Sequence, residues 1–232
     1  MSASAPFDPG SHDGRSHNIS GRHDITYIMA VRTRNTMSYD KKDGYYRKAK
    51  AEGYRSRATY KLKQINSKFR IIRRDDIVVD LGAAPGGWSQ VAVELAGPGN
   101  VLAADIRTME PIDGVLFVRA DVTTDDFLRT VAEWNDSVDV VLSDMSPDIT
   151  GHYGMDQARS VHMAEWALKV AGKVLRTGGR SVVKVFQGDM FPDLLNGYRS
   201  AFSSVKCNSP LASRKASSEV YIVAKGFRGR PD

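Results

Sequence analysis

Ile77 to Gln90 reads IVVDLGAAPGGWSQ, and the way this stretch folds decides the architecture of the chain. Ile77, Val78 and Val79 form a short β-branched run continued by Asp80 and Leu81, the composition of a strand buried on both faces. Gly82 permits a sharp turn, Pro85 stiffens it, and Gly86 and Gly87 let main chain approach a bound molecule without an intervening Cβ. Trp88 then stands at the mouth of a helix. The glycines are not followed by the Lys and Ser or Thr of a phosphate-binding loop, nor are they spaced as the G-x-G-x-x-G of a dinucleotide site. A cofactor of another kind is expected at this turn.

Working outward, strand and helix alternate. SQVAVELA is a crossover helix stopped by Gly97-Pro98-Gly99, and residues 100–106 form the next strand, with Asp105 at its end. Residues 115–122 form a third strand ending in Asp121, followed by the helix DDFLRTVAEWN. A fourth strand, 138–147, carries Asp144, and the helix from Asp156 to Leu175 stops at Gly178-Gly179. A fifth strand, Arg180–Phe186, holds Lys184 inside an apolar run. This alternation predicts an α/β fold with a mostly parallel, doubly wound Rossmann-like sheet and flanking helices.

In such sheets ligands bind beyond the carboxyl ends of the strands, where Asp80, Asp105, Asp121 and Asp144 all fall. One such acid is ordinarily a capping or turn residue. Four in succession describe a shared cleft. Asp105 is placed for a ribose diol and Asp121 for an adenine amine. With the Gly86 turn they suit S-adenosylmethionine, whose sulfonium cation requires no phosphate cradle.

Upstream, charge is concentrated. Of 33 Lys and Arg in the 232 residues, thirteen lie between Asn35 and Arg74 against three acids. Tyrosines 39, 45, 46, 54 and 60 interleave them, a composition suited to phosphate contact with stacking. A helix over 56–69 places Ala58, Leu62, Ile65 and Phe69 on one stripe, with Arg57, Lys61 and Lys68 on the other face and Lys61 at the junction. Arg55, Arg57, Lys63 and Lys68 are the expected phosphate contacts.

Residues 1–34, rich in Ser, Gly, His and Asp, lack the apolar material for a core and are expected to be a disordered tail. His12, His17 and His23 are too irregularly spaced for a metal site, and His162 and Cys207 stand without a ligand pattern, so no metal is expected. The single cysteine excludes an internal disulfide, and no apolar run approaches about 18 residues. A soluble, cytoplasmic, monomeric protein is expected, divided into the tail, a basic helical extension at 35–74, a catalytic domain at 75–228 and a short end at 229–232.

RSRATYKL, DLGAAPGGWSQ, SDMSP, VVKVFQG and SSEVYIVAKG, in that order, closely resemble the bacterial and archaeal FtsJ or RlmE family of large-subunit ribosomal RNA 2′-O-methyltransferases, over about 39–227. The resemblance implies a Rossmann-like methyltransferase with a Lys-Asp-Lys-Glu tetrad, which falls here on Lys61, Asp144, Lys184 and Glu219. It implies cofactor contacts at Gly86, Trp88, Asp105, Asp121 and Asp144. The implied substrate is a uridine ribose in 23S ribosomal RNA or the large ribosomal subunit, although PDITG after SDMS also resembles transfer RNA enzymes.

The chemistry gives these four residues a reason to converge. A ribose hydroxyl is a weak nucleophile, and its oxygen must be held in line with the sulfonium methyl. A lysine can take the proton where its surroundings disfavour its charged form, and acids beside it orient the amine. The resemblance assigns Lys184 as base, Asp144 as its electrostatic partner, and Lys61 with Glu219 as positioning residues. A noncatalytic RNA-binding relative would have no use for an intact tetrad, and a small-molecule methyltransferase would leave the basic segment idle.

Overall fold

In a computed structural model, residues 44–214 and 217–229 are described. The tail with its three histidines, Tyr39 and Lys215 lie outside the described residues. The chain runs α1 (Gly44–Ala51), α2 (Ala58–Phe69), β1 (Val78–Leu81), α3 (Gly87–Ala96), β2 (Val101–Asp105), β3 (Val115–Arg119), α4 (Asp125–Trp134), β4 (Val138–Ser143), α5 (Tyr153–Val174), β5 (Leu175–Phe186), α6 (Phe191–Ala201), β6 (Phe202–Asn208) and β7 (Glu219–Phe227).

One sheet holds all seven strands in the order β3-β2-β1-β4-β5-β7-β6. Strands β1 to β5 are parallel, and β7 is inserted antiparallel between β5 and β6. Strand order reverses at β1, with β2 on one side and β4 on the other, so the chain leaves the two halves of the sheet in opposite directions and a crevice opens at the carboxyl ends of the strands.

Alternation along the strands sorts side chains between two cores. Val79, Leu81, Val183, Val185, Val220 and Ile222 pack with α4, α5 and α6, while Val78, Val182, Tyr221 and Val223 pack with α2 and α3. By the same period Asp80, Lys184 and Glu219 belong to the α2 and α3 side. These three side chains are therefore delivered to one face.

Local sequence accounts for most boundaries. Helix α3 begins after Gly86, whose φ of 109° suits glycine, and α4 is capped by Thr124, whose hydroxyl accepts from the Phe127 N–H at 3.3 Å. Several boundaries differ from the sequence expectation: β4, expected to reach residue 147, ends at Ser143, so that Asp144 follows it. Strand β3 ends at Arg119, and Asp121 lies in the following turn, where its Oδ1 accepts from the Thr123 N–H and hydroxyl at 2.9 and 2.7 Å. Gly178 and Gly179 do not stop α5; the helix ends at Val174 and both glycines lie inside β5, beside a register shift against β4. Helix α2 packs on α3 through fully buried Leu62 and Ile65, and residues 44–74 belong to the same compact unit as the sheet.

Candidate active site

At the carboxyl end of β4, Asp144 follows Ser143, which pairs with Val183 of β5. That register puts Asp144 beside Lys184. The Lys184 Nζ donates to the Asp144 main-chain oxygen at 2.6 Å and lies 3.2 Å from its Oδ1, with the lysine side chain 6% exposed. Across the antiparallel pairing Lys184 faces Tyr221, and Phe186 faces Glu219. Helix α2 carries Lys61 to the same place, where its Nζ stands 2.7 and 2.8 Å from the two carboxylate oxygens of Glu219. Ser213 donates to Glu219 Oε1 at 2.7 Å.

The two lysine–acid pairs are joined by a residue that the sequence motifs did not single out. The Tyr221 hydroxyl donates to Asp144 Oδ1 at 2.8 Å, its ring lies 5.7 Å from the Trp88 ring, and the Lys61 ammonium stands 5.7 Å from its centre. Burial first, then the charges of Asp144 and Glu219, hold the phenol well above its ordinary pKa, so it remains a neutral donor. The signal was present: Glu219 and Tyr221 are two apart on one strand and point to one face.

Beside the tetrad opens a cavity of about 900 Å³, lined by Asp80, Asp105, Asp121 and Asp144, by Gly82, Gly87 and Trp88, and from α5 by His162, Met163 and Trp166. Asp80 is its most unusual wall. One carboxylate oxygen accepts from Ser89 at 2.6 Å; the other is buried with no hydrogen-bond partner. Burial raises its pKa to about 7, with Asp144 and Asp105 adding to the shift and the Ser89 bond opposing it.

Asp105 does more than wait for a ligand. Its Oδ2 accepts from the Ala84 N–H at 2.9 Å, its Oδ1 from the Arg107 N–H at 2.8 Å, and the Arg107 guanidinium bridges both oxygens. Arg107, which no sequence motif marks, is 68% exposed at its side chain and can turn away.

The glycines serve the protein as much as any ligand. A Cβ on Gly82, at φ 70°, would fall inside Met145, so the turn after β1 can lie against the loop after β4. Gly86 does not line the cavity. The space its Cβ would need is taken by Ile112 and Met109, within 2.8 Å, so its missing side chain admits packing rather than a bound molecule. Trp88 both lines the cavity and belongs to the core, 3% exposed, its indole N–H donating to the Ala58 oxygen.

The expected phosphate contacts are largely engaged within the protein. Arg55 donates to the main-chain oxygens of Pro85, Glu110 and Pro111, Arg57 to that of Ala212, and Lys63 pairs with Glu94 and the Tyr54 hydroxyl. Lys68 is exposed, with Asn208 as a neighbour at 3.0 Å. Lys61, expected between stripe and basic face, is buried. Among the described residues no group of three or more His, Cys, Asp or Glu is placed to hold a metal, and no helix is long and apolar enough to cross a membrane.

A doubly wound sheet with an acid-lined crevice at its switch point and an antiparallel β7 beside β5 defines a Rossmann-like methyltransferase. The FtsJ-like methyltransferase family model matches residues 54–227, and the chain belongs to that family. It is 50% identical over 196 residues to the ribosomal RNA large subunit methyltransferase E of Methanothrix thermoacetophila, covering 84% of this chain and 76% of that one. The protein of the same name from Archaeoglobus fulgidus is 48% identical over 189 residues, covering 82% and 98%. A crystal structure from Plasmodium falciparum, described as a ribosomal RNA methyltransferase, superposes with a TM-score of 0.69 at 26% identity, covering 76% of this chain and all of that one.

Proposed function

We propose that this methyltransferase modifies a ribose 2′-oxygen of large-subunit ribosomal RNA, a uridine in the 23S molecule, using S-adenosylmethionine. The observation that carries the reading is the convergence of Lys61–Glu219 and Asp144–Lys184 about Tyr221, with Asp144 also lining the acid-lined cavity. The two archaeal relatives, named as large-subunit ribosomal RNA methyltransferases, support the substrate.

The residues present fit the cofactor. Asp80 offers a buried oxygen without a partner, a setting that welcomes a cation, and Asp105 and Asp121 offer acceptors for hydroxyl and amine groups. Trp88 supplies an apolar wall. S-adenosylmethionine brings an electrophilic methyl group on a positively charged sulfur.

The chain's own residues then have two tasks. Acting as the free amine, Lys184 takes the proton of the 2′-hydroxyl as its oxygen attacks the methyl group, and Asp144, itself held by Tyr221, fixes where the amine stands. Lys61, clamped by both oxygens of Glu219, holds the ribose against sliding, so that attack occurs from one geometry. A ribosomal substrate supports a cytoplasmic location.

Lys184→Ala is expected to fold and bind cofactor normally while losing methyl transfer by a factor on the order of 10² or more. The test incubates both proteins with labelled S-adenosylmethionine and, separately, large ribosomal subunits, naked ribosomal RNA and transfer RNA, and maps the label by mass spectrometry of nuclease digests. Label on a 2′-oxygen of large-subunit RNA that depends on Lys184 supports the reading. Label confined to transfer RNA moves the substrate to the one suggested by PDITG, and base methylation or a fully active variant overturns the mechanism.

A further inference from the structure

The loops that follow Asp144 and Lys184 carry a group of large apolar side chains in the open. Tyr153 is 63% exposed, Met155 48%, Met190 46% and Ile149 45%. A soluble protein seldom gathers such residues at one rim without a use for them. These are also held in place. The Tyr153 hydroxyl donates to the Gln187 main-chain oxygen at 2.7 Å, which fixes the ring at the start of α5. The buried carboxylate of Asp156 accepts from the N–H groups of Thr150 and Gly151 at 2.9 and 3.1 Å and from the Thr150 hydroxyl, and so pins the loop that presents Ile149. The Gln157 amide, with its oxygen turned to Asp189 and Met190, accepts from both of their N–H groups.

Position and charge narrow the occupant. Gln187 lies three residues beyond Lys184 in extended chain, about 10 Å, which is within reach of the nucleotide next to one whose ribose sits at Lys184. The exposed charges on this rim are mixed, Asp148 and Asp189 negative and Arg159 positive, so phosphate gains less here than on a wholly basic surface. On the α2 side of β5 the exposed charges of Lys68, Lys206 and Arg214 are positive. The carboxyl edge of β5 thus separates an apolar bank that suits bases from a basic bank that suits the phosphodiester chain.

We propose that Tyr153, flanked by Ile149, Met155 and Met190, is a platform on which a base adjoining the target ribose stacks, with the phosphates turned to the opposite bank. This rests on the function proposed above and adds the orientation in which RNA crosses the site. A stacked base contributes by contact of ring faces, without releasing counterions. The phenol hydroxyl only positions the ring.

Tyr153→Ala, Tyr153→Phe and Tyr153→Trp, each checked for an unchanged thermal midpoint and cofactor affinity, are compared with wild type in steady-state methylation of large-subunit ribosomal RNA and in RNA binding across salt concentrations. The alanine variant is expected to raise KM for RNA about tenfold, with kcat within about twofold and the slope of log affinity against log salt unchanged. Phenylalanine and tryptophan are expected to restore KM to within about threefold. An alanine variant with wild-type KM, or aromatic variants as impaired as alanine, overturns the platform while leaving the methyltransferase reading intact. A wild-type protein that methylates no RNA brings down both.

Discussion

Asp80 is the residue whose environment most constrains what the cavity accepts. Its carboxyl is held near pKa 7 by burial and by two neighbouring acids, against an ordinary value of 3.8. In this window the folded chain keeps a proton that the unfolded chain releases, so stability from this residue is complete below about pH 4 and is lost as pH rises through about 7. A cation beside Asp80 reverses the preference, because it favours the carboxylate. Affinity for S-adenosylmethionine is therefore expected to rise about tenfold between pH 6 and pH 8, while S-adenosylhomocysteine, which lacks the sulfonium charge, shows a much flatter profile. Calorimetry at a series of pH values measures both; parallel profiles would remove Asp80 from the cation site. Asp105→Ala is a less selective probe than its place at the end of β2 suggests, since that carboxylate also anchors the Ala84 N–H and Arg107.

At the scale of elements, α2 and the segment before it act as a strap across the cofactor turn. The Arg55 guanidinium gathers three carbonyl oxygens from the turn after β1 and from residues 110 and 111, and Lys61 ties the helix to β7. Arg55 was expected to meet phosphate; instead it replaces water on carbonyls that the turn leaves unpaired. Arg55→Ala is expected to lower stability by about 1 kcal/mol, or about 2–4 °C in thermal midpoint for a domain of this size. Cofactor affinity should fall as the turn loosens. The salt dependence of RNA binding should hold steady, and a clear drop in its slope would show that Arg55 meets phosphate after all.

Over the whole molecule, charge is divided by position. Arg180, on the same strand and face as Lys184, is buried against Asp76 and the Ile71 oxygen and serves as a structural tie midway along β5. Exposed positive charge remains at Arg47, Lys50, Lys68 and Arg73. Replacing these four with glutamine is expected to weaken RNA binding without altering cofactor affinity, and to reduce the salt slope by somewhat under about one unit for each phosphate no longer neutralised. Filter binding at several salt concentrations checks this, and an unchanged slope would place the phosphate track elsewhere.

The sequence by itself determined the doubly wound sheet, because the β-branched runs, the stop at Gly97 and the helical stripe at Leu62 and Ile65 are local signals. It also determined which acids stand at strand ends, since Asp80, Asp105 and Asp144 each follow directly from the length of an apolar run. Only the tertiary structure decided that β7 enters antiparallel beside β5, which sets Glu219 and Tyr221 against Lys184 and joins the two lysine–acid pairs. That pairing spans more than thirty residues of sequence, and no local pattern encodes its register. Tertiary structure likewise decided the employment of Arg55, Arg57 and Lys63: a basic residue looks the same in sequence whether it faces phosphate or an orphaned carbonyl. The missing Cβ of Gly86 follows the same rule, for close approach is legible in a glycine, while the identity of what approaches depends on Ile112 and Met109 folding back from beyond β2.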